Sequence, residues 1–338
     1  MFYKLGTKPE KLVNKMENYL DATVNLYRDA ALTPDVGLCC TTTPIWKFPG
    51  LEIPKIMQEM NYGCGSTISA QDLINNPKIL YVGVGGGMEL LQFSYFSRQK
   101  GGVVGVDVVD EMLEASRQNF IIAEQENDWF KSEFVELKKG DALNLPIEDE
   151  SIDIAAQNCL FNIFKTDDLK KALQEMYRVL KPRGRLVMSD PTCEQEMNET
   201  LRNDDHLRAL CLSGSIPIKE YIQMLTDVGF GTIEIRGRRP YRILDTENYA
   251  TDELIFIESI EVCAIKDPMP SDGACVFTGK AAIFYGKDAY FDDKKGHTLL
   301  KNQPLAVCDK TAQALTDLNR DDIYISESTF HYNGGGCC

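Results

Sequence analysis

The sequence has no excess of basic charge: 36 lysines and arginines stand against 51 acids, a formal net charge of −15 over 338 residues. No basic cluster outweighs its acidic surroundings, which excludes the electrostatic footprint of a nucleic-acid binder. No run of about 20 apolar residues occurs, so no membrane span is expected. The start, Met1-Phe2-Tyr3-Lys4, has no secretory apolar core, and a cytoplasmic location is expected. Histidine is scarce: only His206, His297 and His331 exist, and none is assigned to a catalytic dyad. There is no Walker Gly-Lys-Ser/Thr, which excludes a P-loop, and no Cys-x-x-Cys, which argues against a preformed zinc knuckle. Cysteine, in contrast, is abundant, with eleven in the chain. A reducing compartment does not sustain structural disulfides. These residues are therefore thiols with a soft-metal or redox role, or small buried hydrophobes.

The chain is organised around Ile79-Leu80-Tyr81-Val82-Gly83-Val84-Gly85-Gly86-Gly87-Met88-Glu89 and, further on, Val103-Val104-Gly105-Val106-Asp107. The first stretch is an apolar run that breaks into glycines and resumes as a helical pattern at Leu90, Leu91, Phe93 and Phe96. It reads as strand, tight turn, helix. Glycine allows the turn and a close backbone approach, and the helix start offers unpaired N–H groups to a ligand. Asp107 closes a second strand-like run at the spacing of an acid that grips a ribose hydroxyl pair. A glycine run alone can be a packing device; the acid at this distance makes a nucleotide-type cofactor site the better reading. Gly83, Gly85, Gly87 and Asp107 are its first candidates.

The pattern Gly-x-Gly-x-Gly resembles motif I of the S-adenosylmethionine-dependent methyltransferases. One departure stands out. Those enzymes commonly carry an acid two residues before the first glycine, and here Tyr81 occupies that place. The contact to the methionine amino group must then come from elsewhere.

Residues 9–28 read as a helix with a stripe at Leu12, Met16, Tyr19, Leu20 and Tyr27, and 34–50 as irregular. A helix over Glu111–Glu124 presents Met112 to a bound adenine if the methyltransferase pattern holds. A strand Phe134–Leu137 leads to Asp141-Ala142, the acid and small residue expected beside that ring, although Asp141 also reads as a plain turn acid. A strand Ile152–Gln157 ends in Asn158-Cys159, with Asn158 facing the cofactor. A helix Asp167–Leu180 stops at Lys181-Pro182-Arg183-Gly184, and a strand Arg185–Met188 ends in Ser189-Asp190. A short helical piece ends at Cys211, and a helix Ile218–Val228 stops at Gly229. Alternating strands and helices imply an α/β, doubly wound, mostly parallel sheet, Rossmann-like, with a smaller α+β domain after it. Ligands then sit beyond the strand carboxyl ends.

Cys64, Cys159 and Cys211 fall on three loops at those ends. Singly each reads as an incidental thiol; jointly they suggest a soft electrophile or metalloid held by thiolates. Here the resemblance becomes specific. Tyr62-Gly63-Cys64-Gly65, Gln157-Asn158-Cys159, Tyr177-Arg178-Val179-Leu180-Lys181-Pro182, Ser189-Asp190, Cys211-Leu212-Ser213-Gly214-Ser215 and Val228-Gly229-Phe230 occur in that order. The sequence resembles the arsenite methyltransferase family, of the ArsM type, including its cyanobacterial and algal arsenosugar-pathway members. Cys39-Cys40-Thr41 matches the family's N-terminal cysteine region. Cys275-Val276-Phe277-Thr278-Gly279 and the Gly-Gly-Gly-Cys-Cys end resemble its C-terminal part.

The resemblance implies a class I methyltransferase fold and S-adenosylmethionine as methyl donor. It implies Cys159 and Cys211 as the pair that holds arsenic(III), Cys64 as third thiol, and Cys39 or Cys40 as the disulfide partner of Cys64 during turnover. Leu210 departs from a glutamate common in the family. The expected substrates are arsenite or its glutathione conjugate and methylarsenite, the reductant thioredoxin or glutathione, and the products mono- and dimethylarsenicals. Residues 1–70 are expected to complete the site, 71–238 to bind the methyl donor, 239–332 to form the smaller domain, and 333–338 to be a tail. A small-molecule C- or O-methyltransferase with incidental cysteines, and a non-catalytic thiol-rich arsenic or soft-metal binder, are the competing readings.

Overall fold

The computed structural model describes residues 18–35, 38 and 46–332. Positions 9–17 of the first expected helix, Cys39, Cys40, Cys337 and Cys338 lie outside them. Within the described residues the first helix, α1, spans Leu20–Leu32, four residues beyond the expected end. The short α2 is Lys55–Glu59.

The core is a βαβ succession. Strand β1 (Ile79–Val82) is buried at every position, and β2 (Val103–Asp107) at all but Asp107. Continuous apolar strands of this kind belong to parallel sheets covered on both faces. Between them α3 (Met88–Ser97) is buried almost all round. Helix α4 (Asp110–Glu126) comes next, then a 3₁₀ turn at Ser132–Phe134 and β3 (Val135–Lys139). The expected strand start at Phe134 is therefore the end of that turn. Strand β4 (Ile152–Asn158) leads to α5 (Thr166–Val179), whose face Leu169, Ala172, Leu173, Met176 and Val179 is buried. Asp167 and Asp168 in its first turn and Arg178 in its last suit the helix dipole.

Strand β5 runs from Leu180 to Thr192, longer at both ends than the expected Arg185–Met188. Ile152 pairs with Leu180 and Ile154 with Arg185, so Lys181-Pro182-Arg183-Gly184 loops out as a bulge. Proline removes a ladder donor and is tolerated at such a bulge. The helix stop thus leads at once into strand. The short α6 (Glu199–Arg202) and α7 (Asp205–Ala209) replace the single expected helical piece, and Cys211 lies just past α7. Helix α8 (Ile218–Val228) ends at Gly229.

The large sheet has the order β3-β2-β1-β4-β5-β7-β6-β8, where β6 is Thr232–Leu244, β7 Ile255–Ile265 and β8 Cys275–Phe277. Strands β1 to β5 are parallel; β7 pairs antiparallel with both β5 and β6. The position 238/239 falls inside β6, so the main sheet takes in much of the expected smaller domain. The chain beyond β8 forms a compact α+β unit. Its three-stranded sheet has the order β12-β9-β13, from β9 (Ala281–Phe284), β12 (Pro304–Ala306) and β13 (Ile323–Ile325). A hairpin of β10 (Tyr290–Asp292) and β11 (Thr298–Leu300) and the helix α9 (Asp309–Asp317) complete it. Ala282, Phe284, Leu299, Val307, Ala312 and Leu315 form its own core. Among the described residues no helix is long and apolar enough to cross a membrane.

A buried ion cluster ties the segment before β1 to the far strands. Asp72, 5% exposed, accepts from Arg185 Nη1 at 3.0 Å and from Arg236 through both guanidinium nitrogens. Removing the shared acid leaves Arg185 without its ion pair and Arg236 with Glu234 alone, in a partly dry site. Asp72→Ala is expected to lower the unfolding free energy by about 3–5 kcal/mol, measured by urea denaturation. A loss under about 1 kcal/mol would show the cluster to be solvent-relaxed.

Candidate active site

A cavity of about 290 Å³ opens at the carboxyl ends of the parallel strands. Gly83, Gly85, Asp107, Met112, Asp141, Ala142 and Asn158, all candidates for the cofactor, line it. Gly87 does not: with φ +87° it is the N-cap of α3, and its role is to turn the chain into that helix. Gly83 and Gly85 also have positive φ, the conformation that only glycine adopts without strain. The Asp107 carboxylate accepts the Val84 N–H and the Val109 N–H, each at 2.9 Å. It thereby fixes the glycine turn while facing the cavity. Burial pushes its pKa up to about 6, against the opposing pull of these backbone donors. Asp141 accepts the Leu143 N–H at 2.9 Å, so the turn-acid reading of this residue also holds. Helix α1 covers the cavity with Leu20 and Tyr27 of its sequence stripe and with Thr23 and Val24, which lie off that stripe.

The acid missing before the first glycine has a counterpart on α3. Glu89, buried, accepts from Thr67 Oγ1 at 2.6 Å, from Asn158 Nδ2 at 3.1 Å and from the Tyr81 hydroxyl. Burial raises its pKa, opposed by these donors. Glu89, Tyr81, Gly83, Gly85 and Asn158 share a small cavity of about 40 Å³ at the glycine turn. Tyr81 thus holds an acid beside the glycine turn. An acid in the first turn of a buried helix was the available signal for it.

The three cysteines come from separate elements and meet around the ends of β4 and β5. Cys64, Cys159 and Cys211 are all buried, and among the described residues no disulfide joins them to one another or to another cysteine. The Cys64 loop is stapled down: Asn158 Oδ1 accepts the Cys64 N–H at 3.0 Å and its Nδ2 donates to Gly65 O at 2.8 Å. Glu261 accepts the Ser66 N–H at 2.7 Å. Glycine on both sides of Cys64 is dictated by this contact. A Cβ at Gly63 would lie 2.4 Å from Asn158, and one at Gly65 would lie 2.1 Å from Ser189 Oγ. The Cys64 sulfur is 3.5 Å from the same Ser189 Oγ, and Cys159 N–H donates to Ser189 O at 2.7 Å. The Cys211 thiol donates to the Cys159 carbonyl oxygen at 2.7 Å.

Cys159 and Cys211 share a further property: both have left-handed backbones, with φ of +59° and +58°. Non-glycine residues avoid this region, and such strain concentrates at functional sites. Beneath the thiols lies Asp190, fully buried, accepting from Tyr221 at 2.8 Å and from Gln157. Burial pushes Asp190 up to about 7. Cys263 and Cys193, by contrast, are packing thiols whose burial raises their pKa and suppresses the reactive thiolate. Among the described residues no group of three or more His, Cys, Asp or Glu side chains is set to hold a metal ion. The three expected thiols are linked here only through Ser189 and the Cys159 carbonyl, and among the described residues they form no such group.

Residues 55–244 match the family described as a methyltransferase domain. An arsenite methyltransferase of Halobacterium salinarum is 27% identical over 177 residues, 52% of this chain and 43% of that protein. One from Aquipseudomonas alcaligenes is 26% identical over 293 residues, 82% of this chain and 81% of that protein. The chain therefore spans under half the length of the first relative and most of the second. Among solved structures, an arsenic(III) S-adenosylmethionine methyltransferase from Chlamydomonas reinhardtii is similar in fold. Its TM-score is 0.56 at 23% identity, over 84% of this chain and 97% of that one. The glycine turn, the acid on β2 and the strand order agree with these similarities, and the chain belongs to the methyltransferase-domain family of S-adenosylmethionine-dependent enzymes.

Proposed function

We propose that the protein methylates trivalent arsenic held by cysteine thiolates. The observation that carries this reading is the pair of strained cysteines: Cys159 in the wall of the cofactor cavity, and Cys211 in contact with its carbonyl. The names of its relatives support arsenic as the substrate. Cys159 and Cys211 exchange their thiol protons for arsenic, with hydroxide ligands of arsenite leaving as water. Cys64, held against Ser189, supplies a third sulfur. The residues that hold the methyl donor are Asp107 at the ribose, Met112 and Asp141 at the adenine, and the Gly83–Gly85 turn at the methionine end. Glu89, held by Tyr81, serves the methionine amino group. When bound, S-adenosylmethionine supplies an electrophilic sulfonium methyl to the arsenic lone pair. The chain's own contribution is alignment, with water excluded by α1 and by the Cys64 loop. Arsenic gains two oxidation units on methylation, and a thiol pair closing to a disulfide returns two electrons. Cys64 with Cys39 or Cys40 is the pair we assign, reopened by thioredoxin or glutathione. Mono- and dimethylarsenicals are the products of this scheme, and the cytoplasm is its compartment.

Methylarsenite has one exchangeable ligand fewer than arsenite and needs only two thiols. Cys64→Ser is therefore expected to lose turnover of arsenite while keeping a single methyl transfer to methylarsenite, its pentavalent product left unreduced because the Cys64 disulfide cannot form, read as methylated product by chromatography with mass detection. Equal turnover of arsenite by variant and wild type removes the third-thiol role. No product from either substrate with wild type overturns the reading itself.

A further inference from the structure

Left-handed backbone at a cysteine persists only where the surroundings impose it. At Cys159 the contacts that impose it form a chain. Its N–H donates to Ser189 O at 2.7 Å, and the next N–H, of Leu160, donates to Gln157 Oε1 at 2.9 Å. A backbone N–H can only donate, so the end of the Gln157 amide that it meets is the oxygen. The NH2 end then faces Asp190, which accepts it.

The Asp190 carboxylate is where the chain closes. Its Oδ2 accepts from Gln157 and, at 2.8 Å, from the hydroxyl of Tyr221 on α8. Its Oδ1 is buried and makes no hydrogen bond among the described residues. The Phe161 and Asn162 N–H groups nevertheless act on the carboxylate and lower a pKa that burial raises. They belong to the 3₁₀ turn Phe161–Ile163, which follows Cys159. Gln157, Asn162, Asp190 and Tyr221 are all wholly buried, so no water relaxes these contacts. The same turn reaches Cys211. Asn162 Nδ2 donates to Pro191 O and, at 3.4 Å, to Ser215 Oγ, which donates to Cys211 O at 3.4 Å. A Cβ at Gly214 would lie 1.7 Å from Asn162 O, so the loop after Cys211 rests directly on the turn.

We infer that Asp190 is a positioning residue for the two thiols. Through Gln157 and the 3₁₀ turn it locks the backbone of Cys159, and through Tyr221 it holds α8, into which the Cys211 loop runs. It lines no part of the cofactor cavity and acts through these neighbours alone. The inference rests on the reading of Cys159 and Cys211 as the pair that holds trivalent arsenic. An acid is required because donors approach both of its oxygens. Asparagine in its place must turn its NH2 either to the NH2 of Gln157 or to the N–H groups of the 3₁₀ turn, and each choice sets donor against donor.

Exchanging the partners removes that conflict. With Gln157→Glu and Asp190→Asn together, the new carboxylate accepts the Leu160 N–H and the asparagine NH2. The asparagine oxygen then faces Phe161 and Asn162, and the Tyr221 oxygen accepts the second amide hydrogen. Charge and shape are conserved.

The test titrates methylarsenite into the full-length protein without methyl donor, so that no transfer takes place. The part of the binding lost in Cys159→Ser belongs to the thiol pair. Asp190→Asn is expected to weaken that part by about tenfold or more. The exchanged pair is expected to restore it to within about threefold of wild type. S-adenosylmethionine should bind both variants within about threefold of wild type, which separates positioning from a general loss of structure. Undiminished methylarsenite binding by Asp190→Asn, or an exchanged pair that binds as weakly as that single variant, overturns the inference and leaves the thiol-pair reading standing. If Asp190→Asn does not fold, the exchanged pair decides alone: folded with restored binding supports the inference, and folded without it overturns it. Wild-type protein with no Cys159-dependent binding overturns the thiol-pair reading itself, and the inference with it.

Discussion

Cys159→Ser and Cys211→Ser should each reduce methylation of arsenite by at least about a thousandfold, because each removes one point of a two-point hold on the reacting atom. Serine matches the shape of cysteine, and both positions already carry the unusual φ, so the backbone has no new reason to rearrange. What is lost is the soft sulfur ligand. A serine hydroxyl stays protonated near neutral pH and has little affinity for trivalent arsenic. The Cys211 variant also keeps a donor to the Cys159 carbonyl, so the local hydrogen bond survives. The checks are methylarsenical output and, as a control, unchanged affinity for S-adenosylmethionine. Either variant with wild-type output would falsify the assignment of that cysteine.

The second large effect is expected at Asp107. Its carboxylate faces the cofactor cavity and is the group assigned to the ribose hydroxyls. Two hydrogen bonds to a charged acceptor are worth about 3 kcal/mol or more in all, so Asp107→Ala should weaken S-adenosylmethionine binding on the order of a hundredfold. The wild type should also show a pH dependence set by the pKa of about 6. The ionised carboxylate is the form that accepts both hydroxyls. Affinity should therefore be flat above neutrality and fall about tenfold per pH unit below 6. The effect on folding runs the other way. A carboxyl whose folded pKa is raised from 3.8 favours the native state in its protonated form. That contribution is complete below pH 3.8 and is lost as pH rises through about 6. Asp107→Asn should bind weakly and without this acid limb. Unchanged affinity in Asp107→Ala, or a wild-type profile flat down to pH 5, removes Asp107 from the ribose.

The part of the site that was legible in the sequence is the part built from local pattern. Strand β1, the glycine turn, α3, β2 and Asp107 form one continuous βαβ unit, and the apolar runs and glycines give it away. The placement of Cys64, Cys159 and Cys211 near the ends of β4 and β5 was legible for another reason: each lies in a loop next to an element whose end could be read from proline, glycine or apolar periodicity. The features that escaped depend on contacts between distant segments. Glu89 acquires its role only when Tyr81, Thr67 and Asn158 converge on it. Glu261, which pins the Cys64 loop through Ser66, lies 195 residues away. The addition of β6 and β7 to the main sheet is likewise a long-range pairing, invisible to a boundary drawn from a change in composition. The bulge at Lys181–Gly184 reads in sequence as a stop, and only the register of β4 against β5 makes it part of a strand.

The central claim is tested most directly by one reaction. Purified protein is incubated with S-adenosylmethionine, arsenite and either glutathione or thioredoxin, and the arsenic species are separated and read by mass detection. Methylarsenicals that depend on both the methyl donor and the thiol reductant are the predicted result. Arsenite recovered unmethylated from a folded protein that binds S-adenosylmethionine, with either reductant present, would contradict it.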